Sequence, residues 1–283
     1  MKVSEFTENI FKSAKSLAKV VLQSRKAIAP KRSAKPGGRV VVLGNGPSLK
    51  DTIAQSGELL KETPTVAVNF MAISEAFREL KPDYYVIADP LFFEQTTLEN
   101  VEKLWREIAR VDWPMTVAVP AGRLAKVRQL LGDRNHGLSI STFNYIGGEG
   151  FPWLERALYD RGRAMPRPRN VLIPAIMTAI AAGYREIDVV GADHSWMETI
   201  RVTDENHVVS VQPHFYKDSK SELKRSEEAY KGYRLHQIVE SFAIAFKSYH
   251  TLQRYALSRG IRIFNATPGS YIDAFPRRNL EKQ

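Results

Sequence analysis

The chain has 283 residues, 43% of them hydrophobic, and a formal net charge of +10, enough apolar material for one large domain or two small ones. It contains no cysteine, which excludes disulfides, thiolate metal sites and a cysteine nucleophile and accords with a reducing compartment. Its longest apolar run, residues 171–182, falls short of the roughly 20 residues that a membrane-spanning helix needs.

The charge is concentrated at the front. Residues 1–39 hold ten Lys and Arg against Glu5 and Glu8, so eight of the ten net charges lie there and the body is near neutral. Val3, Phe6, Ile10, Phe11, Ala14, Leu17, Ala18, Val21 and Leu22 recur at three- and four-residue steps, which predicts one apolar face of a helix. Lysines interrupt these residues, unlike the continuous apolar core of a cleavable signal. A basic amphipathic helix followed by Pro30-Lys-Arg-Ser-Ala-Lys-Pro-Gly-Gly38 reads as an anchor on an anionic membrane surface, residues 1–38, ending in a flexible basic linker. Packing of the helix on its own domain or on a partner chain is the competing reading. The body shows no basic stripe interleaved with aromatics, so nucleic acid is not an expected partner.

From residue 39 the pattern alternates. Val40-Val-Val-Leu43 predicts a buried strand running into the glycine turn Gly44-Asn-Gly-Pro-Ser48, with a helix over residues 51–61. A strand over 65–69, a short helix over 74–80 and a strand over 84–88 follow. Next come a helix over 98–110, a strand over 115–119 and a helix over 121–131. Residues 133–170, rich in glycine, proline and arginine, read as an irregular excursion. A helix over 171–183 admits Pro174 only near its first turn, and Gly183 is placed to stop it. A strand over 186–191, a polar lid-like segment at 197–232, a long helix over 235–259 and a strand over 261–265 complete the chain. The expected architecture is α/β: a Rossmann-like, mainly parallel sheet with helices on both faces, spanning 39–283.

Sheets of this kind bind ligands beyond the carboxyl ends of their strands. The residues there are Gly44, Asn45, Gly46, Pro47 and Ser48, then Asn69, Asp89, Pro90, Pro120, Asp193 and His194, and finally the segment 265–270 with the hydroxyls of Thr267 and Ser270. The glycine turn at a helix N-terminus suits phosphate. Gly44 and Gly46 would let backbone approach the ligand, and amide N–H groups and the helix dipole would favour an anion. Asp193 is placed to orient the neighbouring His194 imidazole.

These residues also carry a family resemblance. Leu43-Gly-Asn-Gly-Pro-Ser-Leu-Lys50, Asn69, Pro90-Leu-Phe-Phe-Glu-Gln95, and Ala181-Ala-Gly-Tyr-Arg-Glu-Ile187 with Gly191-Ala-Asp193 resemble the bacterial sialyltransferases of glycosyltransferase family 42. Residues 39–275 are also similar to the wider superfamily of motility accessory factors and 6-hydroxymethylpterin pyrophosphokinase-like proteins. The resemblance implies a GT-A-like variant of the fold and an inverting, metal-independent transfer from a CMP-activated sugar. Asn45, Gly46, Ser48 and Asn69 would then contact the donor, Asp89 would stand where the family has an asparagine, and Arg169 and Asn170 would fall near its Arg-x-Thr-Ser-Gly segment. A histidine of the lid would act as base: His214 is favoured, with Tyr216 beside it as a phosphate donor, and His194 is the alternative.

The expected function is therefore transfer of an acidic, nonulosonic acid-type sugar from a CMP donor to a surface glycan or lipid-linked acceptor, without a metal cofactor. The enzyme would work on the inner face of the membrane, with a homo-oligomer left open. Two other readings stand beside it. One is an ATP- and Mg²⁺-dependent pyrophosphokinase-like enzyme using Asp89 and Asp193; the other is a non-catalytic nucleotide- or glycan-binding module.

Overall fold

Alternate residues along the central strands belong to different cores, which is why these strands read as unbroken apolar runs. Val40 and Val42 join one cluster and Val41 and Leu43 the other; Val66 and Val68 are split in the same way from Ala67. The structure is a computed structural model and describes residues 3–34, 36–132, 137–210 and 232–281.

After α1 (Val3–Gln23), the chain enters β1 (Arg39–Leu43), α2 (Leu49–Glu62), β2 (Thr65–Val68) and α3 (Glu75–Leu80). It continues through β3 (Tyr84–Val86), α4 (Leu91–Glu94), α5 (Glu99–Ala109), β4 (Met115–Pro120), α6 (Leu124–Leu131) and β5 (Leu138–Phe143). The second half comprises α7 (Pro152–Asp160), α8 (Leu172–Ala182), β6 (Glu186–Val190), α9 (Trp196–Thr199), β7 (Ile200–Val202), β8 (Val208–Ser210), α10 (Leu235–Ser258) and β9 (Arg262–Asn265). Seven strands form one parallel sheet in the order β5-β4-β3-β2-β1-β6-β9. α8 and α10 contribute to the core on one face; α2, α3, α5 and α6 contribute to the core on the other. This is the expected Rossmann-like α/β arrangement. The chain winds outward from β1 to β5 and then returns to place β6 on the other side of β1. That reversal opens a crevice at the carboxyl ends of β1 and β6.

Three expectations need correction. Residues 133–170 are not irregular throughout: they contain edge strand β5 and helix α7, whose first residue is Pro152, a position where its missing N–H costs nothing. The lid-like segment opens with regular structure, α9 and the antiparallel hairpin β7–β8. The basic linker is hydrogen-bonded rather than free. In it Lys31 O accepts the Tyr84 hydroxyl, Ser33 N–H donates to Ala182 O and Gly37 N–H donates to Gly183 O. Between α1 and the linker, Ile28 exchanges bonds with Thr142 of β5 and Arg25 is gripped at both backbone groups by Asn144, so this stretch covers the outer edge of the sheet, where unpaired backbone would otherwise be open to another chain. Among the described residues no helix is long and apolar enough to cross a membrane.

Candidate functional site

The loops after β1 and β6 cross in contact, and glycine makes the crossing possible. A Cβ on Gly44 would lie 2.4 Å from Gly191 O, and one on Gly46 would lie 1.9 Å from Asp193 Oδ2. Gly191 itself has φ +63°, and its Cβ would meet Gly44 O at 2.3 Å. These glycines therefore let two protein loops touch.

The anion expected at the start of α2 is also already supplied by the protein. Asp193 accepts the Ser48 amide at 3.2 Å and the Ser48 hydroxyl at 2.9 Å. Gly46 N–H bonds Gly191 O at 2.8 Å. Burial raises the Asp193 pKa, while the Ser48 hydroxyl and amide oppose that rise. A carboxylate held here satisfies the helix N-terminus as a phosphate would. Asp193 is thus engaged by Ser48, and the His194 ring takes Tyr249 rather than this carboxylate as its partner, contrary to the orienting role expected.

Beside this crossing lies a cavity of about 410 Å³. Gly44, Asn45, Gly46, Pro47, Asn69, Asp89, Pro90, Asp193 and His194 line it, so four of the strand-end segments converge, while Pro120 does not reach it; Asn170, at the start of α8, joins them. Asn45 Nδ2 donates to Val68 O at 3.0 Å, tying the β1 turn to the end of β2. Asn69 has φ +47°, a left-handed conformation that asparagine tolerates better than most residues. Its carbonyl accepts the buried Tyr85 hydroxyl, which in turn receives the Ala72 N–H at 2.8 Å. Asp89 spends Oδ1 on the Leu91 amide at 2.9 Å, where α4 begins.

His194 rests on a different triad from the one expected. Its Nε2 lies 2.7 Å from the Tyr249 hydroxyl, and Tyr249 donates to Asn170 Oδ1 at 3.0 Å. The tyrosine proton is therefore committed, and the imidazole is the tautomer carrying hydrogen on Nε2. Asn170 Oδ1 also accepts the Leu172 amide at 3.0 Å, at the start of α8. The ring stacks on Trp196 with centroids 4.1 Å apart. Burial pushes the His194 pKa down to about 3. The unfolded chain consequently takes up a proton that the folded one refuses. This contribution to stability is complete above about pH 6.5 and falls by roughly 1.4 kcal/mol per pH unit toward about pH 3. Urea unfolding of His194→Gln should show a flatter acid limb than the parent; an identical slope would mean that this histidine does not titrate on unfolding.

Thr267 and Ser270 are corrected to a supporting role. The Thr267 hydroxyl donates to Val189 O and accepts the Ala192 N–H, both at 3.1 Å, and the Ser270 hydroxyl donates to Ala192 O at 2.6 Å. Neither lines the cavity; together they brace the loop that ends in Asp193 and His194. Ser48, occupied with Asp193, is likewise absent from the lining. His214 and Tyr216 lie outside the described residues.

Other lining residues escaped the strand-end argument. Tyr145 follows β5, and recognising that strand would have found it. Burial, then the Asp89 carboxylate, push its hydroxyl up to about 12, so it is a donor at neutral pH. Arg169, exposed at the rim, stands beside the first turn of α8, and Trp196, Ser241 and Phe242 close the far wall. Among the described residues, no group of three His, Asp or Glu converges in a way that could hold a metal ion.

No family model matches the sequence, and no curated protein matches it. Among solved structures the chain is similar to a MAf glycosyltransferase from Magnetospirillum magneticum AMB-1, at 12% identity and a TM-score of 0.48, over 98% of this chain and 39% of that one. It is also similar to a mammalian sialyltransferase, at 8% identity and a TM-score of 0.34, over 86% and 84% of the two chains. The protein thus spans about two fifths of the length of the first of these structures.

Proposed function

We propose that the protein is an inverting glycosyltransferase that moves an acidic, nonulosonic acid-type sugar from a CMP-activated donor to a surface glycan or lipid-linked acceptor. It would act at the inner face of the membrane, held there through residues 1–38, and without a metal cofactor. One observation carries this reading: two amide atoms in the cavity wall, Asn69 Oδ1 and Asn170 Nδ2, are buried without a hydrogen-bond partner. Orphaned buried amides cost about 1–3 kcal/mol each, and a nucleotide supplies what they lack. Cytidine offers donors to Asn69 Oδ1, and a phosphate oxygen offers an acceptor to Asn170 Nδ2.

The leaving phosphate then lies toward α8 rather than α2. There Arg169 supplies a full positive charge, the helix N-terminus a partial one, and the Tyr145 hydroxyl a further donor. These groups stabilise the charge that develops on CMP as the glycosidic bond breaks. A base takes the proton of the acceptor hydroxyl on the opposite side of the anomeric carbon, so the configuration inverts. The ATP and Mg²⁺ alternative is weakened by Asp193, whose carboxylate is committed to Ser48.

Thermal unfolding in the presence of CMP, CDP, UDP or ATP, with and without Mg²⁺, tests the proposal. CMP should raise the melting temperature equally with and without metal, and Asn69→Ala should weaken CMP binding about five- to tenfold. Stabilisation by ATP only with Mg²⁺, or by no nucleotide, would overturn it.

A further inference from the structure

α1 is held on the body by its polar side. The Ser16 hydroxyl both donates to Glu149 O and accepts the Glu149 N–H, at 2.8 Å each, and the Ser13 hydroxyl accepts the Phe151 N–H at 3.1 Å. Gly150 lies between them with the helix backbone against it: a Cβ there would come within 2.8 Å of the Ser13 amide nitrogen. A helix docked through serines leaves most of its apolar residues facing outward, Val20, which packs on the core, excepted. Phe6, Ile10, Phe11, Leu17, Val21 and Leu22 are exposed, Phe11 by 71% and Leu22 by 81%.

This stripe does not end at the helix. Phe6 meets Phe151 edge-on at 5.5 Å, Phe151 stacks on Trp153 at 6.4 Å, and Trp153, near the start of α7, is 62% exposed. Lys15 and Lys19 recur along the neighbouring flank, where Lys12 pairs with Glu8 at 2.5 Å. Exposed apolar surface with a charged rim marks an interaction site. The segment that receives α1 leaves the carboxyl end of β5, and Tyr145, just past that end, lines the cavity. Anchor and cavity therefore share one rim of the sheet.

We propose that α1 and Trp153 form a single rigid surface that lies in the interface of an anionic bilayer and fixes the cavity rim toward it. This rests on the glycosyltransferase reading for its purpose, delivery of a lipid-linked acceptor, but not for its physics. Aromatic and aliphatic side chains enter the headgroup boundary while the flanking lysines meet anionic lipid. Charge favours an anionic bilayer over a second copy of the chain as occupant: α1 carries Lys12, Lys15 and Lys19 against Glu5 and Glu8, and Arg25, Lys26, Lys31 and Arg32 follow it. A rigid dock differs from a tether: the serine-held helix sets the orientation of the body and not only its distance from the membrane.

The test uses the full chain with phosphatidylcholine vesicles, with and without phosphatidylserine. The protein should sediment with the anionic vesicles alone, and its tryptophan emission should shift to the blue, a shift that Trp153→Phe removes. Phe11→Ser with Leu22→Ser should weaken vesicle binding at least about tenfold while leaving the thermal response to CMP intact. Loss of the CMP response in the parent protein would strike the functional reading and leave the dock standing. Absence of vesicle binding, equal binding by the double variant, or a dimer that the double variant dissolves would overturn the dock. So would binding with unshifted Trp153 emission, since the helix would then have left the body.

Discussion

Asp188→Asn is expected to lower folding stability by about 3–5 kcal/mol, the cost of breaking a buried ion pair from one side. The Asp188 side chain is wholly buried in the middle of β6. Arg39 Nε, at the start of β1, donates to Oδ2 at 2.6 Å; Arg278, in the C-terminal tail, donates to both carboxylate oxygens at 2.5 Å. Arg39 and Arg278 are themselves mostly covered, with 12% and 22% of their side chains exposed, and Arg278 lies over the Phe264 ring at 3.9 Å. The amide of Asn occupies the same volume but carries no charge and turns an NH₂ group toward a guanidinium. Two cations are then left facing each other with only Glu186, which bonds Arg278 at 2.8 Å and also pairs with Arg262, to offset them. Small domains are stable by only about 5–15 kcal/mol, so the loss should be plain in urea unfolding. A change below about 1 kcal/mol would mean that water reaches this network and that the tail is not fastened through it.

The parts of this fold legible in the sequence are those whose signal is local. The triple valine of β1 and the strand–helix alternation up to α6 follow from periodicity and breakers, because a strand buried on both faces must be apolar at consecutive positions. β5 escaped notice for the opposite reason: it is an edge strand of Leu138-Ser-Ile-Ser-Thr-Phe143, half apolar, set among glycines and arginines. The linker deceived because Pro, Gly and Lys describe its side chains, whereas its order comes from backbone bonds to Tyr84, Ala182 and Gly183, to which composition is blind. At the site, the residues were found by their place at strand ends while their partners were not. Asn170, His194 and Tyr249 are far apart in the chain and meet only because α8 and α10 flank the same sheet face. Gly44 and Gly46 show the same limit: a close approach is readable from glycine, but what approaches, a phosphate or Gly191, is a tertiary fact.

The burial of His194 argues against it as the base, and with His214 proposed in that role the expected result is that His214→Ala lowers kcat by about 10²–10⁴ while CMP binding persists. A general base works best with a pKa near the operating pH. His194 cannot meet this: burial holds its pKa down to about 3, and its Nε2 hydrogen is given to Tyr249. Accepting a proton at Nδ1 would place a charge in a pocket walled by Trp196, Phe246 and Tyr249. An imidazole with the free value of about 6.5 is about nine-tenths neutral at about pH 7.4 and able to take the acceptor proton. The pH dependence of kcat/KM separates the two without any mutation. With His194 as base, activity stays level to about pH 4, after allowance for unfolding; an acid limb at higher pH assigns the proton to another group. His194→Gln adds the complementary arm: as a positioning residue for Asn170 and Tyr249, its loss should raise KM for the donor and leave the acid limb where it was. An acid limb that stays flat to about pH 4, together with full turnover in His214→Ala, would transfer the role of base to His194 despite its burial.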